Sequence, residues 1–365
     1  MAERGARPNV PVVRRKLLRA ANVLFTPLMP DDYLELINPL WSTRELRGRI
    51  ESIDRETEDA VTVLIRPGWE WEGHTPGQYL RIGFVVDGVH HWRAYSLTSD
   101  PNREDGLISI TPKLVEEGKV TPWLVRKARP GTVVRLGGVE GTFTLPDPAP
   151  ERILFISGGS GITPIMSMLR DLAHRDLLRD VVHVHSARAP DEVIFGEELR
   201  GLARGHDGFR LHEQHTAKDG RIGPQDLDDL CADWRDRETF ASGPGELLDA
   251  LDEHFDAHGD CDRLRMERFQ PIIGGEAGDG EGGKIRFADS DTEAESDGSQ
   301  PILVAGEEAG LELPFGCRMG ICHTCIGKLC SGQIRDLRSG EVSSPEGEMV
   351  RTCIHAPEGD IEIEL

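Results

Sequence analysis

The hydrophobic and polar positions of the chain follow two different patterns, and the change between them falls near residue 147. Residues 46–147 contain short runs rich in β-branched side chains, such as AVTVLIRPG and GTVVRLGG, separated by Gly, Pro and Asp. Many short strands joined by tight turns predict an antiparallel barrel or sandwich. Residues 148–270 instead alternate buried-type strands, such as RILFISGG, with segments of helical periodicity, which predicts a parallel α/β sheet.

Three further segments complete the pattern. Residues 1–45 form a leader in which RRKLLRAANVLF alternates basic with apolar side chains, as in a helix packed on the body or a helix lying on a membrane surface. Residues 271–283, rich in Gly, Asp and Glu, are expected to form a flexible linker. Residues 284–365 are a β-rich last domain, in which DSDTEAESDGS forms a hairpin tip unless it extends the linker.

Composition narrows the classes of function. The 365 residues are enough for two or three domains, and the formal charge of −22 argues against nucleic acid as a partner, since a phosphate backbone attracts the opposite sign. No run approaches the roughly 18 apolar residues of a transmembrane helix, and no apolar region with a cleavage site follows the basic N-terminus. Seven cysteines are few for this length, so we expect a cytoplasmic protein, membrane-associated only if the leader binds a bilayer.

Five cysteines lie close together near the C-terminus, and four of them have a specific spacing. Cys317, Cys322, Cys325 and Cys353 follow the pattern C-x4-C-x2-C…C of plant-type [2Fe–2S] clusters. Neighbouring glycines let the backbone turn sharply and bring amide groups to the sulfurs. Four thiolates also suit zinc, but zinc sites typically present two short C-x2-C pairs, so a cluster is the prediction. Cys330 is expected to be a buried thiol that binds no metal.

Two more motifs, RAYSLTS at residues 93–99 and SGGSGITPIMSML at residues 157–169, accompany this spacing. Together they resemble the ferredoxin–NADP⁺ reductase superfamily with a plant-type ferredoxin domain fused at the C-terminus. With its leader, the chain looks most like actinobacterial reductases that supply electrons to acyl-CoA desaturases. The resemblance implies an antiparallel β-barrel flavin domain at 46–147, an α/β nicotinamide domain at 148–270 and a β-grasp ferredoxin domain at 284–365. It also implies FAD, a [2Fe–2S] cluster and NADPH or NADH as cofactors.

The resemblance assigns flavin-binding roles within RAYSLTS. Arg93 would supply a permanent cation for the flavin pyrophosphate. Tyr95 would lay its ring against the isoalloxazine and Ser96 would be the hydrogen-bonding partner at flavin N5, which makes both expected catalytic residues. A second family segment, GKVTPWL, is expected to hold phosphate through Gly118, Lys119, Val120 and Thr121. The family typically has Ser where Thr121 stands, a change that keeps the hydroxyl.

The segment SGGSGITPIMSML follows a buried-type strand and opens a helix, which is the context of a phosphate-binding loop. Glycines bring its backbone close to a pyrophosphate at the helix N-terminus, and in the family the Thr-Pro turn lies beside the nicotinamide. The expected contacts are Gly158, Gly159, Gly161 and Thr163. The segment ASGPGE matches the family's second nicotinamide element through Gly243 and Pro244, although Ser242 replaces the usual cysteine.

The segment HSARAP bears on the choice of coenzyme. Ser186 and Arg188 suit the 2′-phosphate of NADPH. Asp191 and Glu192 lie close by in the sequence and would repel that phosphate. Ser186 and Arg188 favour NADPH over NADH as the electron donor, and NADH stays open as the alternative.

The expected reaction passes electrons from NAD(P)H to FAD, then to the cluster, and on to an external acceptor protein. The resemblance favours a membrane-bound acyl-CoA (stearoyl-CoA) desaturase as acceptor, and hence a role in fatty acid desaturation. Two alternatives remain open, the reductase component of a Rieske or non-haem iron oxygenase and a redox sensor without turnover. Residues 281–365 carry 17 acidic and 7 basic side chains, which suits docking to a basic partner surface.

Overall fold

The chain folds into three β-sheets with helices packed on them, seen in a computed structural model that describes residues 30–269, 280–316, 318–320 and 323–365. The predicted leader helix, most of the predicted linker and the proposed cluster ligands Cys317 and Cys322 lie outside the described residues. The helices are α1 Pro30–Ile37, α2 Val120–Arg126, α3 Ile162–His174, α4 Gly196–Gly205, α5 Thr216–Asp219, α6 Leu227–Leu230, α7 Gly245–His258 and α8 Ile302–Glu308. Within the described ranges, no helix is both long and apolar enough to cross a bilayer.

The first sheet is antiparallel, and its strands lie in the order β4-β3-β6-β1-β2-β5. They are β1 Arg47–Arg55, β2 Val61–Pro67, β3 Tyr79–Val86, β4 Val89–Ser96, β5 Ile108–Ile110 and β6 Val133–Glu140. A bridge from Leu97, directly after β4, to Ile110 of β5 joins the two edge strands. The sheet therefore closes as a barrel, and Val120 and Leu124 of α2 pack into its core.

The second sheet is parallel, with the order β11-β10-β7-β8-β9. Its strands are β7 Ile153–Gly158, β8 Val181–Ala187, β9 Phe209–His215, β10 Glu238–Gly243 and β11 Leu264–Arg268. Helices α3 and α4 cover one face and α7 the other, which explains why β7 and β8 are buried along their whole length. The hydrophobic pattern does not predict β9 or β11, because these edge strands are largely polar.

The third sheet is mixed, with the order β13-β12-β17-β14-β15 and β16 paired to β14. Its strands are β12 Gly283–Phe287, β13 Thr292–Ser296, β14 Ile326–Asp336, β15 Val342–Ser343, β16 Met349–Arg351 and β17 His355–Glu364. Strands β12 and β17 are parallel, and α8 packs its apolar side on the sheet, as in a β-grasp domain. The segment DSDTEAESDGS contributes the turn and second strand of the β12–β13 hairpin, which confirms the hairpin alternative.

The barrel and the parallel sheet share apolar contacts. Ala60, Phe143 and Leu145, from the barrel and the segment after it, belong to the same buried cluster as the α3 side of the parallel sheet. The rings of Phe143 and Phe240 meet edge to face with centroids 5.8 Å apart. This interface brings the end of β4 close to the carboxyl ends of the parallel strands.

Candidate functional site

The middle of β4 carries a cationic cluster. Arg93 Nη1 donates a hydrogen bond of 2.8 Å to the Trp92 carbonyl oxygen. Burial lowers the pKa of the nearby His91 imidazole, and the charges of Arg93 and Lys119 lower it further. Within the described part of the chain, neither Arg93 nor Lys119 forms an ion pair. Two cations without a carboxylate partner fit an anionic group such as the pyrophosphate of FAD.

The two expected catalytic residues lie at the end of β4. The ring of Tyr95 meets that of Phe84 edge-on, with centroids 6.2 Å apart, and burial raises the pKa of its phenol above the ordinary value. Ser96 is buried and lies opposite Tyr79 in the antiparallel register. The structure therefore holds Tyr95 against the barrel and places Ser96 at the edge that faces the parallel sheet.

The segment GKVTPWL forms the turn that enters α2. The Thr121 hydroxyl accepts a hydrogen bond from the Val115 amide (3.0 Å) and donates one to its carbonyl oxygen (3.3 Å). The Gly118 amide donates to the same carbonyl oxygen, and the Val120 side chain is buried in the barrel core. These groups stabilise the turn that presents Lys119, and a direct phosphate contact from Gly118, Val120 or Thr121 stays a prediction.

The two glycine-containing segments predicted to bind the coenzyme meet at the ends of β7 and β10. A side-chain Cβ at Gly161 would lie 2.0 Å from the Ser242 carbonyl oxygen, and one at Gly158 would lie 2.7 Å from Pro244 Cδ. The backbones of 158–161 and 242–244 therefore touch, which only glycine permits here. Thr163 Oγ1 donates to the Ser160 carbonyl oxygen at 2.9 Å and so stabilises the first turn of α3.

A groove of about 520 Å³ lies beside this junction. Its wall contains the predicted residues Gly158, Gly159, Ser186, Arg188 and Pro244. The wall also contains Glu246, the last residue of ASGPGE, together with Thr216 and Arg221, which the motifs do not indicate because they lie in a segment distant in sequence. Arg221 pairs with Glu246 across the groove, while Arg188 is largely exposed and lies 3.9 Å from Glu192. The groove thus combines glycine backbone with two arginines, a lining suited to a nucleotide phosphate.

Sequence reasoning misses Glu267, which lies in β11 directly opposite Ser242 of β10. Burial raises the pKa of its carboxyl to about 8, and an interaction with the Ser96 hydroxyl acts in the opposite direction. Among the described residues, neither Glu267 Oε2 nor Ser242 Oγ has a hydrogen-bond partner, although both atoms are buried. An unpartnered carboxyl oxygen on a residue that contacts Ser96 fits a bound polar ring system.

The described part of the cysteine region is already arranged to hold thiolates. Cys325 and Cys353 are buried. The Gly320 amide donates to Cys353 Sγ at 3.2 Å, and the Cys325 carbonyl oxygen accepts from the Thr352 amide at 2.9 Å and from its hydroxyl at 3.0 Å. Arg351 Nη1 donates to the Gly320 carbonyl oxygen at 2.9 Å. An amide aimed at a buried sulfur fits an iron–sulfur ligand.

Cys330 has a different environment, and it is half-buried rather than buried as predicted. It lies within β14, and its Sγ faces the Lys328 carbonyl oxygen at 3.7 Å. Burial raises the pKa of its thiol, as do the nearby carboxylates of Glu364 and Glu362. A thiol that stays protonated is a poor metal ligand, so its exclusion from the cluster remains our prediction.

Comparison with known proteins agrees with this arrangement. Family models match an oxidoreductase FAD-binding domain at residues 70–145, an oxidoreductase NAD-binding domain at 155–239 and a 2Fe-2S iron-sulfur cluster binding domain at 285–358. The chain is 46% identical to an NADPH oxidoreductase of Mycobacterium tuberculosis (strain ATCC 25618 / H37Rv), over 96% of this chain and 92% of that protein. It belongs to the ferredoxin–NADP⁺ reductase superfamily with a C-terminal 2Fe-2S domain. The reductase is an NAD(P)H-dependent oxidoreductase that uses FAD and a [2Fe–2S] cluster, as predicted.

Two further proteins are similar to the chain over most of their own length. The reductase is 29% identical to the glycine betaine monooxygenase reductase subunit of Pseudomonas aeruginosa (strain UCBPP-PA14), over 79% of this chain and 86% of that protein. Its fold is similar to that of phthalate dioxygenase reductase, with a TM-score of 0.58 and 21% identity over 87% of this chain and 97% of that one. The predicted fold class, a barrel, a parallel α/β sheet and a ferredoxin domain, is confirmed.

Proposed function

We propose that the reductase takes electrons from NADPH and delivers them from its cluster to an iron-containing oxygenase. The observation that carries the choice of acceptor is the nature of the relatives whose names state a partner. These are reductase subunits of glycine betaine monooxygenase and of stachydrine N-demethylase, the latter from Rhizobium meliloti (strain 1021). They support the oxygenase alternative over the desaturase that the overall resemblance suggested.

The groove supports NADPH as the donor. Ser186, Arg188 and Arg221 line the groove, and the Arg188 guanidinium suits a 2′-phosphate, whereas Arg221 pairs with Glu246. Glu192 Oε1 lies 3.9 Å from Arg188 Nε, and most of the Arg188 side chain is exposed. A phosphate therefore has access to the Arg188 guanidinium. The Mycobacterium tuberculosis relative is named an NADPH oxidoreductase.

The residues around the flavin site have distinct tasks in this proposal. When bound, FAD would accept a hydride from NADPH and release single electrons toward the cluster. Arg93 and Lys119 would hold its pyrophosphate, and Ser96 would orient its reactive edge. Glu267, neutral below about pH 8, can donate a hydrogen bond there, and Ser242 offers a second hydroxyl.

A membrane desaturase is the second candidate acceptor, favoured by an apolar surface at α1. Leu36 and Ile37 are 82% and 72% exposed, and Tyr33 and Trp41 lie on the same part of the chain with 46% and 36% exposure. Exposed apolar and aromatic side chains of this kind suit an interfacial contact. The basic leader precedes this surface in the sequence.

Anaerobic titration tests the donor and the cofactors. We expect NADPH to bleach first the flavin and then the cluster absorbance at near-stoichiometric amounts, with NADH acting only at higher concentration. Neither coenzyme bleaching the flavin would contradict the proposal, as would protein that contains zinc but no iron or sulfide.

Reoxidation tests the acceptor. The reduced protein is mixed with a purified Rieske oxygenase component or with membranes that contain an acyl-CoA desaturase, and the return of the cluster absorbance is followed. Faster reoxidation by the oxygenase supports the main proposal, and faster reoxidation by the membranes supports the second candidate.

A further inference from the structure

One face of α3 is polar and contacts a single loop of the flavin domain. Its side chains follow the spacing i, i+3, i+4 and i+7, which places them in one row along the helix. They are Ser167, Arg170, Asp171 and His174. Each of them contacts the loop 98–102. We name these four side chains and this loop the interdomain clamp.

The first two contacts of the clamp are hydrogen bonds to backbone. Ser167 Oγ, which is fully buried, donates to the Ser99 carbonyl oxygen at 2.8 Å. Arg170 Nη1 donates to the Thr98 carbonyl oxygen at 2.6 Å. The remaining guanidinium nitrogens of Arg170 form a fork on Glu198 of α4 at 2.8 and 2.6 Å. The loop is therefore held by donors that the nicotinamide domain itself keeps in place.

The other two contacts join side chains. Asn102 Nδ2 donates to Asp171 Oδ1 at 3.1 Å, and His174 Nδ1 lies 3.1 Å from Asp100 Oδ2. Asp171 is 4% exposed. Burial raises the pKa of Asp171, while Arg175, which donates to its Oδ2 at 3.0 Å, lowers it. Asp171 thus keeps one charged partner in its own domain, and Asn102 adds the contact across the interface.

The position of the clamp in the chain gives it a function. Its loop begins two residues after Ser96, at the flavin side of the site. Its helix begins directly after Gly161, at the coenzyme side. Few backbone residues separate the clamp from either half of the site, so a shift at the clamp moves one half relative to the other.

We propose that the interdomain clamp positions the flavin half of the site against the nicotinamide half, and that Ser167 and Asn102 are positioning residues for flavin reduction. The inference rests on the flavin and coenzyme assignments made above. Reacting groups need close and well-aligned contact, and a misplacement of about 1 Å can cost on the order of 100-fold in rate. Three hydrogen bonds and the contact of His174 with Asp100, spaced along one helix, restrict both separation and rotation between the domains.

The test uses full-length, cofactor-loaded protein with Ser167→Ala, Asn102→Ala and the double substitution. These changes leave no new buried charge, because Asp171 keeps Arg175. The control is Glu197→Gln, which changes an exposed position of α4 next to Glu198 and alters none of the clamp contacts named above. Ser167→Thr keeps the hydroxyl and serves as the rescue variant.

We expect the double variant to reduce its flavin about tenfold more slowly with saturating NADPH, as a partial loss of alignment implies. The KM for NADPH should stay within about twofold, because the groove is unchanged. The long-wavelength absorbance of stacked flavin and nicotinamide should weaken, and amide hydrogen exchange should rise in loop 98–102 and the first turns of α3. Glu197→Gln and Ser167→Thr should behave like the unaltered protein.

An unchanged rate and absorbance in the double variant would overturn the inference. So would a slower rate that comes with an equal rise in KM and a lower unfolding temperature, since that result indicates general loosening. If the unaltered protein is not reduced by either coenzyme, the proposed function fails and this inference fails with it. If NADPH reduces the flavin of the unaltered protein and of the variants equally fast, only the clamp inference is overturned.

Discussion

The polar residues around the site differ mainly in whether other protein groups supply their hydrogen-bond partners. The polar groups of Arg170 and Asp171 form hydrogen bonds with other protein groups, and their role is structural. Ser242 Oγ and Glu267 Oε2, in contrast, are buried without partners among the described residues. Since buried polar atoms are nearly always hydrogen-bonded in native proteins, such atoms indicate where a ligand completes the structure. The raised pKa of Glu267 agrees with a functional position.

Glu267→Gln should remove a pH dependence of the stability of the folded protein. The carboxyl pKa rises from 4.5 to about 8 in the folded protein, so the folded state retains a proton that the unfolded state releases between these values. Stability therefore falls as pH rises from about 4.5 to 8, by on the order of 5 kcal/mol, and the amide variant avoids this loss. Denaturant unfolding at pH 5, 7 and 9 measures it.

The same variant should also change the activity profile. A neutral carboxyl can donate a hydrogen bond and its ion cannot, so we expect flavin reduction by NADPH to slow in the unaltered protein above about pH 8. The profile of Glu267→Gln should be flat there. Glu238→Gln, at the start of β10, is the control. The same dependence of flavin reduction on pH in the unaltered protein, Glu267→Gln and Glu238→Gln would contradict this role of Glu267.

Cysteine substitutions should separate ligands from bystanders. Cys325→Ser should abolish the cluster, since Cys325 lies buried in the hydrogen-bonded loop beside Thr352. Cys330→Ser should retain two irons and two sulfides per chain, because that thiol faces the Lys328 carbonyl oxygen. Iron and sulfide assays with electron paramagnetic resonance of the reduced protein measure both. Loss of the cluster in Cys330→Ser would show that Cys330 is a ligand.

Elements position the site through their ends. The glycine turn after β7 and the Ser-Gly-Pro turn after β10 touch through backbone atoms, and β11 places Glu267 beside them. Parallel strands that end at one edge of a sheet bring distant segments together there. The glycine turn can be predicted because its function requires a particular residue type. Strand β11 cannot be predicted from its polar sequence, so the sequence gives no sign that Glu267 lies at the site.

Gly161→Ala should damage the coenzyme site. The new methyl group would meet the Ser242 carbonyl oxygen at 2.0 Å, so one of the two turns must move. We expect at least roughly tenfold weaker NADPH binding, as displaced phosphate-binding backbone implies, and a lower unfolding temperature. Gly201→Ala in α4 is the matched control, since its methyl group has space and should stabilise the helix by about 0.5–1 kcal/mol. Equal NADPH affinity in both variants would contradict the prediction.

The whole molecule carries its charge unevenly. Its last 85 residues, Glu281 to Leu365, hold 17 acidic and 7 basic side chains, whereas the groove of the nicotinamide domain contains two arginines. A negative field around the cluster domain favours encounter with a basic acceptor, and salt screens that attraction. The two ends of the electron path therefore attract molecules of opposite charge.

Ionic strength should affect the two ends differently. Raising salt from roughly 0.05 to 0.5 M shortens the screening length severalfold, so reduction of basic cytochrome c by the cluster domain should slow several-fold. Flavin reduction at saturating NADPH should change less than about twofold, since the coenzyme is already bound. Stopped-flow absorbance follows both steps. Cytochrome c reduction that is insensitive to salt would contradict electrostatic docking.

The sequence by itself determined the cofactors and the order of the domains. The cysteine spacing, the RAYSLTS strand and the glycine-rich turn are largely local patterns, with only Cys353 standing apart from its three partners. Only the tertiary structure decided how the domains meet, through Asn102 with Asp171 and Ser96 with Glu267. The members of such pairs are separated by 69 or more residues, and each is an ordinary polar residue in its own segment. Their roles follow from burial and contact, which exist only once the chain has folded.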